Sequence, residues 1–214
     1  MKHNLYYTPE LLAFLESYSS CYVKGLDRLL ERNEEGLNPS VGHQAGAFLS
    51  LLAGIAHPAR ILELGTCEGA SAIMMSRACP EAEIITIEIR PELAQRARNH
   101  FREFGVEERI TLLEGDMMEI VPALSEEEPF DMIFLDAAKK MYPRLFQLLL
   151  KRLAPGGIWV TDDVFLEMAC FPEHIKGIEQ ALRRFNSLVY AEESLQPVMI
   201  PLSHGLLLCR KKEA

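Results

Sequence analysis

The 214-residue sequence contains no long hydrophobic run, and no stretch approaches the roughly 18 uninterrupted apolar residues of a membrane-spanning helix. Its first residues also lack the apolar segment of a secretory signal peptide. Hydrophobic residues make up 49% of the chain and charged residues 25%, the composition of an ordinary soluble protein with a sizeable core. We therefore expect a cytoplasmic protein with no membrane association.

Cysteine is scarce, and neither cysteine nor histidine shows the spacing of a zinc site. The five cysteines are odd in number and form no C-x-x-C pair, which favours reduced thiols over disulfide bonds. The six histidines form no H-x-x-H or H-E-x-x-H pattern. The G-x-S-x-G and G-K-[ST] motifs are also missing, which disfavours a hydrolase of the first type and a P-loop nucleoside triphosphatase.

Positive charge is limited as well. The 22 lysines and arginines face 31 acidic residues, and the net charge is −9. This balance disfavours broad binding to nucleic acid, although Arg183-Arg184 and Arg210-Lys-Lys212 could form a local basic patch.

What the sequence does contain is a strand-like segment that enters a glycine turn. Residues 60–71 read RILELGTCEGAS: a short apolar run breaks at Gly65, continues to Gly69 and enters a helical pattern at Ser71. Such a turn leaves backbone N–H groups facing a crevice. The second glycine of G-x-G-x-x-G, which lets the backbone approach a pyrophosphate, is missing. This favours a nucleoside without a pyrophosphate, such as S-adenosylmethionine; the alternative is an ordinary strand-to-helix turn.

From Arg60 onward, strand and helix patterns alternate, which predicts an α/β fold with a doubly wound, mostly parallel sheet. The predicted strands are 60–64, 83–88, 109–114, 130–136, 157–161, one near 188–200 and one near 205–209. The predicted helices are 71–77, 91–104, 117–124, 143–153 and one or two within 171–185. We expect a single domain over residues 1–214, with an N-terminal helical segment (1–37) and a core (38–214). A helix from Val41 to His57, capped by Ser40, is predicted to open the core.

Acidic residues follow several of the predicted strands. Glu88 ends the second strand, about the distance from Gly65 at which an acid binds ribose hydroxyls in nucleotide-binding folds. Asp116 follows the third strand and could reach an adenine amino group. The alternatives are a solvated Glu88 and an Asp116 that only forms a turn.

Three aspartates end two neighbouring strands: Asp136 ends the fourth, and Asp162 and Asp163 end the fifth. Because neighbouring strands lie about 4.8 Å apart, these carboxylates should meet at one edge of the sheet and raise one another's pKa without a cation. An all-oxygen site suits Mg²⁺, Ca²⁺ or Mn²⁺; the alternative is that each aspartate caps a turn. Lys139, beside such a cation and Lys140, could have a lowered pKa and act as a general base, or could simply be solvated.

Together these motifs resemble the cation-dependent O-methyltransferases of the catechol and caffeoyl-CoA type, over roughly residues 38 to 210. The segments that carry the resemblance are 41–46 (VGHQAG), 62–66 (LELGT), 69–71 (GAS), 86–88 (TIE), 115–116 (GD), 130–139 (FDMIFLDAAK) with Tyr142, 154–157 (APGG), 161–164 (TDDV) and 201–205 (PLSHG). The resemblance implies a Rossmann-like class I methyltransferase fold, with a seven-stranded sheet whose last strand is antiparallel, and a homodimer.

The resemblance also implies a role for each site residue. Asp136, Asp162 and Asp163 are implied as the metal ligands and Lys139 as the catalytic base, with Asp136 also catalytic. The implied contacts with S-adenosylmethionine are Glu63, Gly65, Thr66, Gly69, Ser71, Glu88, Asp116 and Asp136, with Val41 and Gly42 closing over the methionine part.

The chain departs from the family pattern at three places. Asp162-Asp163 stands where the family usually has Asp-Asn, which should bind the cation more tightly but weaken its Lewis acidity. Residues 203–205 (SHG) stand where Gly-Asp-Gly is usual, and the loop 165–172, which shapes the acceptor pocket, lacks the usual glycine. These departures concern the acceptor more than the reaction.

We therefore expect methyl transfer from S-adenosylmethionine to a metal-bound hydroxyl of a small catechol-like or phenolic acceptor, with Mg²⁺ as the preferred cation. One alternative is methylation of 5-hydroxyuridine in tRNA, which similar bacterial proteins perform. Another is a non-catalytic cofactor-binding module.

Overall fold

The computed structural model describes residues 10, 14, 17, 18, 23–30, 41–165 and 177–213. The helices in these ranges are α1 (Asp27–Leu30), α2 (His43–Ala56), α3 (Ala70–Ala78), α4 (Pro91–Glu103), α5 (Met117–Ala123), α6 (Tyr142–Arg152) and α7 (Ile178–Ala191). The strands are β1 (Arg60–Leu64), β2 (Glu83–Glu88), β3 (Ile110–Glu114), β4 (Phe130–Leu135), β5 (Leu153–Thr161), β6 (Leu195–Ile200) and β7 (Leu206–Lys211). Two short 3₁₀ helices, Glu107–Arg109 and Lys139–Met141, complete the described elements.

The strands form one seven-stranded sheet in the order β3-β2-β1-β4-β5-β7-β6. Strands β1 to β5 pair in parallel, and β7 runs antiparallel to both of its neighbours. The predicted doubly wound fold with an antiparallel last strand is confirmed. The order reverses between β1 and β4, so helices leave the centre of the sheet in both directions and open a crevice at the carboxyl ends of these strands.

Helices cover both faces of the sheet because successive side chains of a buried strand point to opposite faces. In β4, Met132 and Phe134 pack with α2, α3 and α4, whereas Ile133 and Leu135 pack with α5, α6 and α7. All four side chains are fully buried. This two-sided burial explains why the parallel strands read as continuous apolar runs.

Several predicted boundaries differ from the observed ones, and the main differences are at the start of α2, the end of α7 and the start of β5. The helix predicted from Val41 begins at His43, with Gly42 as its N-cap, and Ser40 lies outside the described residues. Residues 188–191 are the last turn of α7 and not a strand, because its buried side chains follow a helical spacing up to Val189. β5 begins at Leu153, which pairs with Phe130 across a register shift, and not at Gly157.

The N-terminal part of the chain is described only in places. The separation of a helical segment at 1–37 from the core therefore stays a prediction, and the loop 166–172 also lies outside the described residues. Within the ranges given above, no helix is long and apolar enough to cross a membrane. Cys67, Cys79 and Cys209 take part in no disulfide bond.

Candidate active site

The glycine turn, residues 65–69, connects β1 to α3 at the crevice. Gly65 has a φ of 98°, and a Cβ at this position would overlap the carbonyl oxygen of Asp136. Gly69 has a φ of 90°, and a Cβ there would overlap the ring of Phe101. The backbone N–H groups of Gly65 and Thr66 donate to the Ile87 carbonyl at 3.0 and 3.2 Å. Both glycines are therefore needed for the close approach of neighbouring elements.

Glu63 lies beneath the glycine turn and is fully buried. Its two carboxyl oxygens accept hydrogen bonds from the Ser71 and Thr86 hydroxyls, each at 2.5 Å. The Thr66 hydroxyl lies 2.5 Å from that of Thr86 and extends this buried network. Burial raises the pKa of Glu63 to about 7, although the two hydroxyls act in the opposite direction. The resemblance implies that Glu63, Ser71 and Thr66 contact the cofactor. In the structure these three residues belong to a buried hydrogen-bond network next to the glycine turn.

Glu88 joins the end of β2 to the glycine turn. Its Oε2 accepts a hydrogen bond from the backbone N–H of Cys67 at 2.8 Å, and its Oε1 accepts one from the N–H of Arg90 at 3.0 Å. The side chain is buried, at 5% exposure, so the alternative of a solvated Glu88 is wrong. Its predicted contact with a ribose stays a prediction.

Asp116 and the 41–42 segment lie at the ends of helices. The Oδ1 of Asp116 caps α5 by accepting from the backbone N–H of Met118 at 2.8 Å, and the residue is exposed. Val41 is buried, whereas Gly42 has a φ of 71°, and a Cβ added there would meet no atom within 4 Å. The turn-forming role of Asp116 is observed, and its contact with adenine stays a prediction.

Asp136, Lys139, Asp162 and Asp163, which we call the acid–lysine cluster, lie where β4 and β5 end. The backbone N–H of Asp136 donates to the Leu64 carbonyl at 2.9 Å, which places the cluster beside the glycine turn. The Lys139 Nζ lies 2.6 Å from the Asp136 Oδ1 and 2.8 Å from the Asp163 Oδ2. The structure thus brings the predicted base and two of the predicted ligands into direct contact.

Asp162 makes no direct contact with Lys139 among those described above, but it is hydrogen-bonded to the backbone of Asp163 and is affected by the charges of Asp136 and Asp163. Its Oδ1 accepts a hydrogen bond from the backbone N–H of Asp163 at 2.7 Å. Burial, followed by the charges of Asp136 and Asp163, raises the pKa of Asp162 to about 8. Burial likewise raises the pKa of Asp136, even though Lys139 lowers it. Asp136 and Asp162 thus have raised pKa values, mainly through burial and in part through the charge of neighbouring aspartates, as the sequence predicted for these two.

Lys139 keeps its proton in this arrangement. Burial lowers the pKa of its ammonium group, but Tyr142, Asp136 and Asp163 raise it by more, and the pKa lies above its ordinary value. The lowered pKa expected for Lys139 is therefore not observed, because its nearest partners are carboxylates. A general base at this position requires positive charge that offsets these carboxylates.

A metal-ligand set is not formed by the described residues: no group of three or more histidine, cysteine or acidic side chains is arranged to hold a metal ion. The carboxylates have other partners in this structure. The Lys139 ammonium pairs with Asp136 and Asp163, and the Oδ1 of Asp162 accepts a hydrogen bond from the backbone N–H of Asp163. The side chains nevertheless suit a divalent cation. Their ligand atoms are carboxylate oxygens, and the cluster has three carboxyl groups but only one ammonium group to balance their charge.

Two residues that shape the site, Thr86 and Tyr142, belong to the segments that carry the resemblance, but the sequence analysis assigns them no role. Thr86 supports Glu63, and its signal is a single hydroxyl within the apolar strand β2. The Tyr142 hydroxyl is buried and donates toward the Asp162 and Leu135 carbonyls at 3.3 and 3.5 Å, which ties the ends of β4 and β5 together. No signal in the sequence distinguishes this buried tyrosine from an exposed one.

The strand order, the glycine turn after β1 and the acids at the carboxyl ends of the strands together define a class I methyltransferase fold. The family model for O-methyltransferases matches residues 15–212, and the chain belongs to this family.

Known relatives agree with this assignment. A catechol O-methyltransferase of Niastella koreensis is 35% identical over 167 residues, which cover 76% of this chain and 76% of that protein. A catechol O-methyltransferase of Mycobacterium tuberculosis is 33% identical over 159 residues and covers 73% of this chain and 72% of its own. The crystal structure of the O-methyltransferase TomG from Streptomyces achromogenes, in complex with S-adenosylmethionine, has a TM-score of 0.81 and 29% identity, and covers 94% and 95% of the two chains.

Proposed function

We propose that this protein transfers the methyl group of S-adenosylmethionine to a hydroxyl oxygen of a small catechol-like or phenolic acceptor, with the help of a divalent cation. The observation that carries the proposal is the acid–lysine cluster, which lies at the same sheet edge as the glycine turn in a member of the O-methyltransferase family. Two relatives that bear the name catechol O-methyltransferase support the choice of acceptor.

We assign cofactor binding to one side of the crevice and binding of the cation and the acceptor to the other. The ends of β1, β2 and β3 carry the glycine turn, Glu88 and Asp116, and we assign these groups to the nucleoside and methionine parts of the cofactor. Val41 and Gly42, at the start of α2, would close over the methionine part. The ends of β4 and β5 carry the acid–lysine cluster, which would face the methyl group and the acceptor.

Asp136, Asp162 and Asp163 would hold the cation, with Mg²⁺ as the best candidate and Ca²⁺ or Mn²⁺ as alternatives. Such an ion supplies Lewis acidity, which lowers the pKa of an acceptor hydroxyl. Without the ion, Asp136 and Asp163 hold the Lys139 Nζ at 2.6 and 2.8 Å, which keeps the proposed base next to the proposed cation ligands.

Lys139 acts as the proton acceptor. With the charge of a cation offsetting Asp136 and Asp163, the Lys139 ammonium would release its proton to water, and the neutral Nζ would then take the proton of the acceptor hydroxyl while the oxygen forms a bond to the methyl carbon. The bond from that carbon to sulfur breaks, and the products are the methyl ether and S-adenosylhomocysteine. No covalent intermediate with the protein is needed, so positioning and electrostatics set the rate.

Replacement of Asp136 tests the proposal. We expect D136A to lose Mg²⁺-dependent methyl transfer from labelled S-adenosylmethionine to catechol, because it removes a cation ligand and a partner of Lys139. Binding of S-adenosylhomocysteine, measured by calorimetry, should stay largely intact. The control is E81A, which changes an exposed acid before β2, at the opposite edge of the sheet. Activity that survives both D136A and a chelator would contradict the cation's role.

A tRNA acceptor has less support. The Lys211 Nζ donates to the carbonyls of Leu150 and Leu153 at 2.9 and 2.7 Å, and Arg210 pairs with Glu213 at 2.7 Å. These basic side chains are thus already engaged within the chain, and the net charge is −9. A salt-dependent shift of labelled tRNA, together with no turnover on catechol, would favour the tRNA acceptor.

A non-catalytic cofactor-binding module is the remaining alternative. The contacts of Lys139 within the acid–lysine cluster argue against it, because such a module needs no buried, paired lysine. If the protein binds S-adenosylmethionine but methylates no member of a broad panel of hydroxylated compounds, the module is favoured.

A further inference from the structure

The turn before β7 is attached to the loop that follows β5. The backbone N–H of Val164 donates to the Gly205 carbonyl at 3.0 Å, and that of Phe165 donates to the His204 carbonyl at 2.8 Å. Gly205 has a φ of 93°, and a Cβ there would overlap the Phe165 ring. These contacts hold residue 204 directly beside the acid–lysine cluster.

Within this arrangement, Asp163 lies between two nitrogen donors. Its Oδ1 lies 3.2 Å from the His204 Nδ1, and its Oδ2 lies 2.8 Å from the Lys139 Nζ. A carboxylate only accepts hydrogen bonds, so the proton of a neutral His204 ring must be on Nδ1. An asparagine at position 163 would have a single acceptor oxygen and would turn its NH₂ group toward one of the two donors.

The backbone of Asp163 adds a second constraint. Its φ of 60° lies in the left-handed region, which aspartate and asparagine tolerate better than most residues but which still costs free energy. Its side chain is 21% exposed, so water competes for its oxygens. The contact with Lys139 restricts the carboxylate at Oδ2, and the contact with His204 restricts it at Oδ1 and does not depend on Lys139.

We propose that His204 is a positioning residue: through its hydrogen bond to Oδ1, it orients Asp163 so that Oδ2 faces Lys139 and a divalent cation. The inference rests on the proposed function, because it gives the third proposed ligand its orienting partner. His204 touches neither the cofactor nor the reacting atoms in this role. Partners of this kind set the orientation and the affinity of metal ligands in proteins.

A titration with Mn²⁺ tests the inference without any turnover. The protein is saturated with S-adenosylhomocysteine, and free Mn²⁺ is followed by its electron paramagnetic resonance signal. We expect H204A to weaken Mn²⁺ binding about tenfold, the lower end of the usual effect, because His204 is half exposed. H204N, whose amide nitrogen can take the place of Nδ1, should restore most of the affinity. H57N changes an exposed histidine before β1, at the opposite edge of the sheet, and is the control.

A second substitution shows whether His204 acts through Asp163. In a D163N background, H204A should change Mn²⁺ affinity by less than about twofold, since an asparagine whose oxygen faces Lys139 turns its NH₂ group toward His204 and no longer accepts the orienting hydrogen bond. Equal Mn²⁺ affinity for the unchanged protein and H204A would overturn the inference and leave the proposed function standing. An unchanged protein that binds no Mn²⁺ would overturn both.

The tautomer of His204 provides a readout that needs no metal. Nitrogen NMR of the unchanged protein should show the proton on Nδ1, and D163N should shift the ring toward the Nε2–H form. A His204 ring that carries its proton on Nε2 in the unchanged protein would contradict the proposed hydrogen bond.

Discussion

At the scale of single residues, burial and hydrogen bonding decide the protonation of the acids near the site. The resemblance implies Glu63 as a cofactor contact, which stays a prediction; in the structure both of its oxygens accept hydrogen bonds, from Ser71 and Thr86, and the side chain is fully buried. Asp162 is also buried, and both acids have raised pKa values. The sequence shows an acid within a short apolar strand, but it cannot show that neighbouring elements supply two hydroxyls to that acid.

The raised pKa of Glu63 predicts a pH dependence of stability. The native state keeps the proton of Glu63 up to about pH 7, whereas an unfolded chain releases it near the ordinary glutamate pKa of 4.5. Because the native state then binds more protons, the free energy of unfolding should fall as the pH rises through this window. E63Q should flatten the fall, measured by urea denaturation between these two pH values.

The control for that experiment is E83Q, which changes an exposed glutamate at the start of β2, the strand next to that of Glu63. It should leave the slope of stability against pH as it is in the unchanged protein. An unchanged slope in E63Q would show that Glu63 has an ordinary pKa in the folded state.

At the scale of elements, the sequence predicts best those segments whose hydrophobic residues form a clear run and whose ends are marked by turn residues. β1 and β2 have their predicted bounds, because each is a short apolar run that ends at a turn. The end of α7 resembles a strand in sequence because the apolar residues 188 and 189 are adjacent, whereas the buried side chains of the whole helix, such as Leu182, Phe185 and Val189, follow a helical spacing. The early start of β5 depends on its pairing with Phe130, which no local pattern reveals.

The glycine turn gives a prediction at this scale. G65A should lower stability by more than the roughly 1–2 kcal/mol of a left-handed alanine, because its Cβ also overlaps the Asp136 carbonyl. The displaced turn should bind S-adenosylhomocysteine more weakly. Thermal melting and calorimetry measure the two effects.

G105A separates backbone strain from overlap. Gly105 has a φ of 60°, with no atom within 4 Å of an added Cβ, so only the strain of the left-handed conformation is introduced. Equal losses of stability in G65A and G105A would mean that the close approach of β1 and β4 is not what requires Gly65.

At the scale of the whole molecule, the order of the strands is what brings distant residues together. Asp136, Asp163 and His204 are far apart in the sequence, yet they meet because β4, β5 and β7 are neighbours in the sheet. The sequence could predict that the first two share an edge, since both follow parallel strands. The contact of His204 depends on the antiparallel return of β7, which only the resemblance predicted. The homodimer remains a prediction, which sedimentation can test.

The melting temperature of the whole molecule should depend on both the cofactor and the cation. S-adenosylhomocysteine should raise the melting temperature of the protein, and Mg²⁺ should raise it further, because a ligand that binds only the native state stabilises it. D136A should keep the first rise and lose the second. A second rise of the same size in D136A would place the cation elsewhere.

The most direct measurement of the central claim is a crystal structure with S-adenosylhomocysteine and Mn²⁺, with the ion located by its anomalous scattering. We predict one Mn²⁺ bound by Asp136, Asp162 and Asp163, with Lys139 no longer paired to both Asp136 and Asp163. A cofactor-bound crystal soaked in Mn²⁺ that shows no anomalous signal at these aspartates, with Lys139 still between Asp136 and Asp163, would contradict the account.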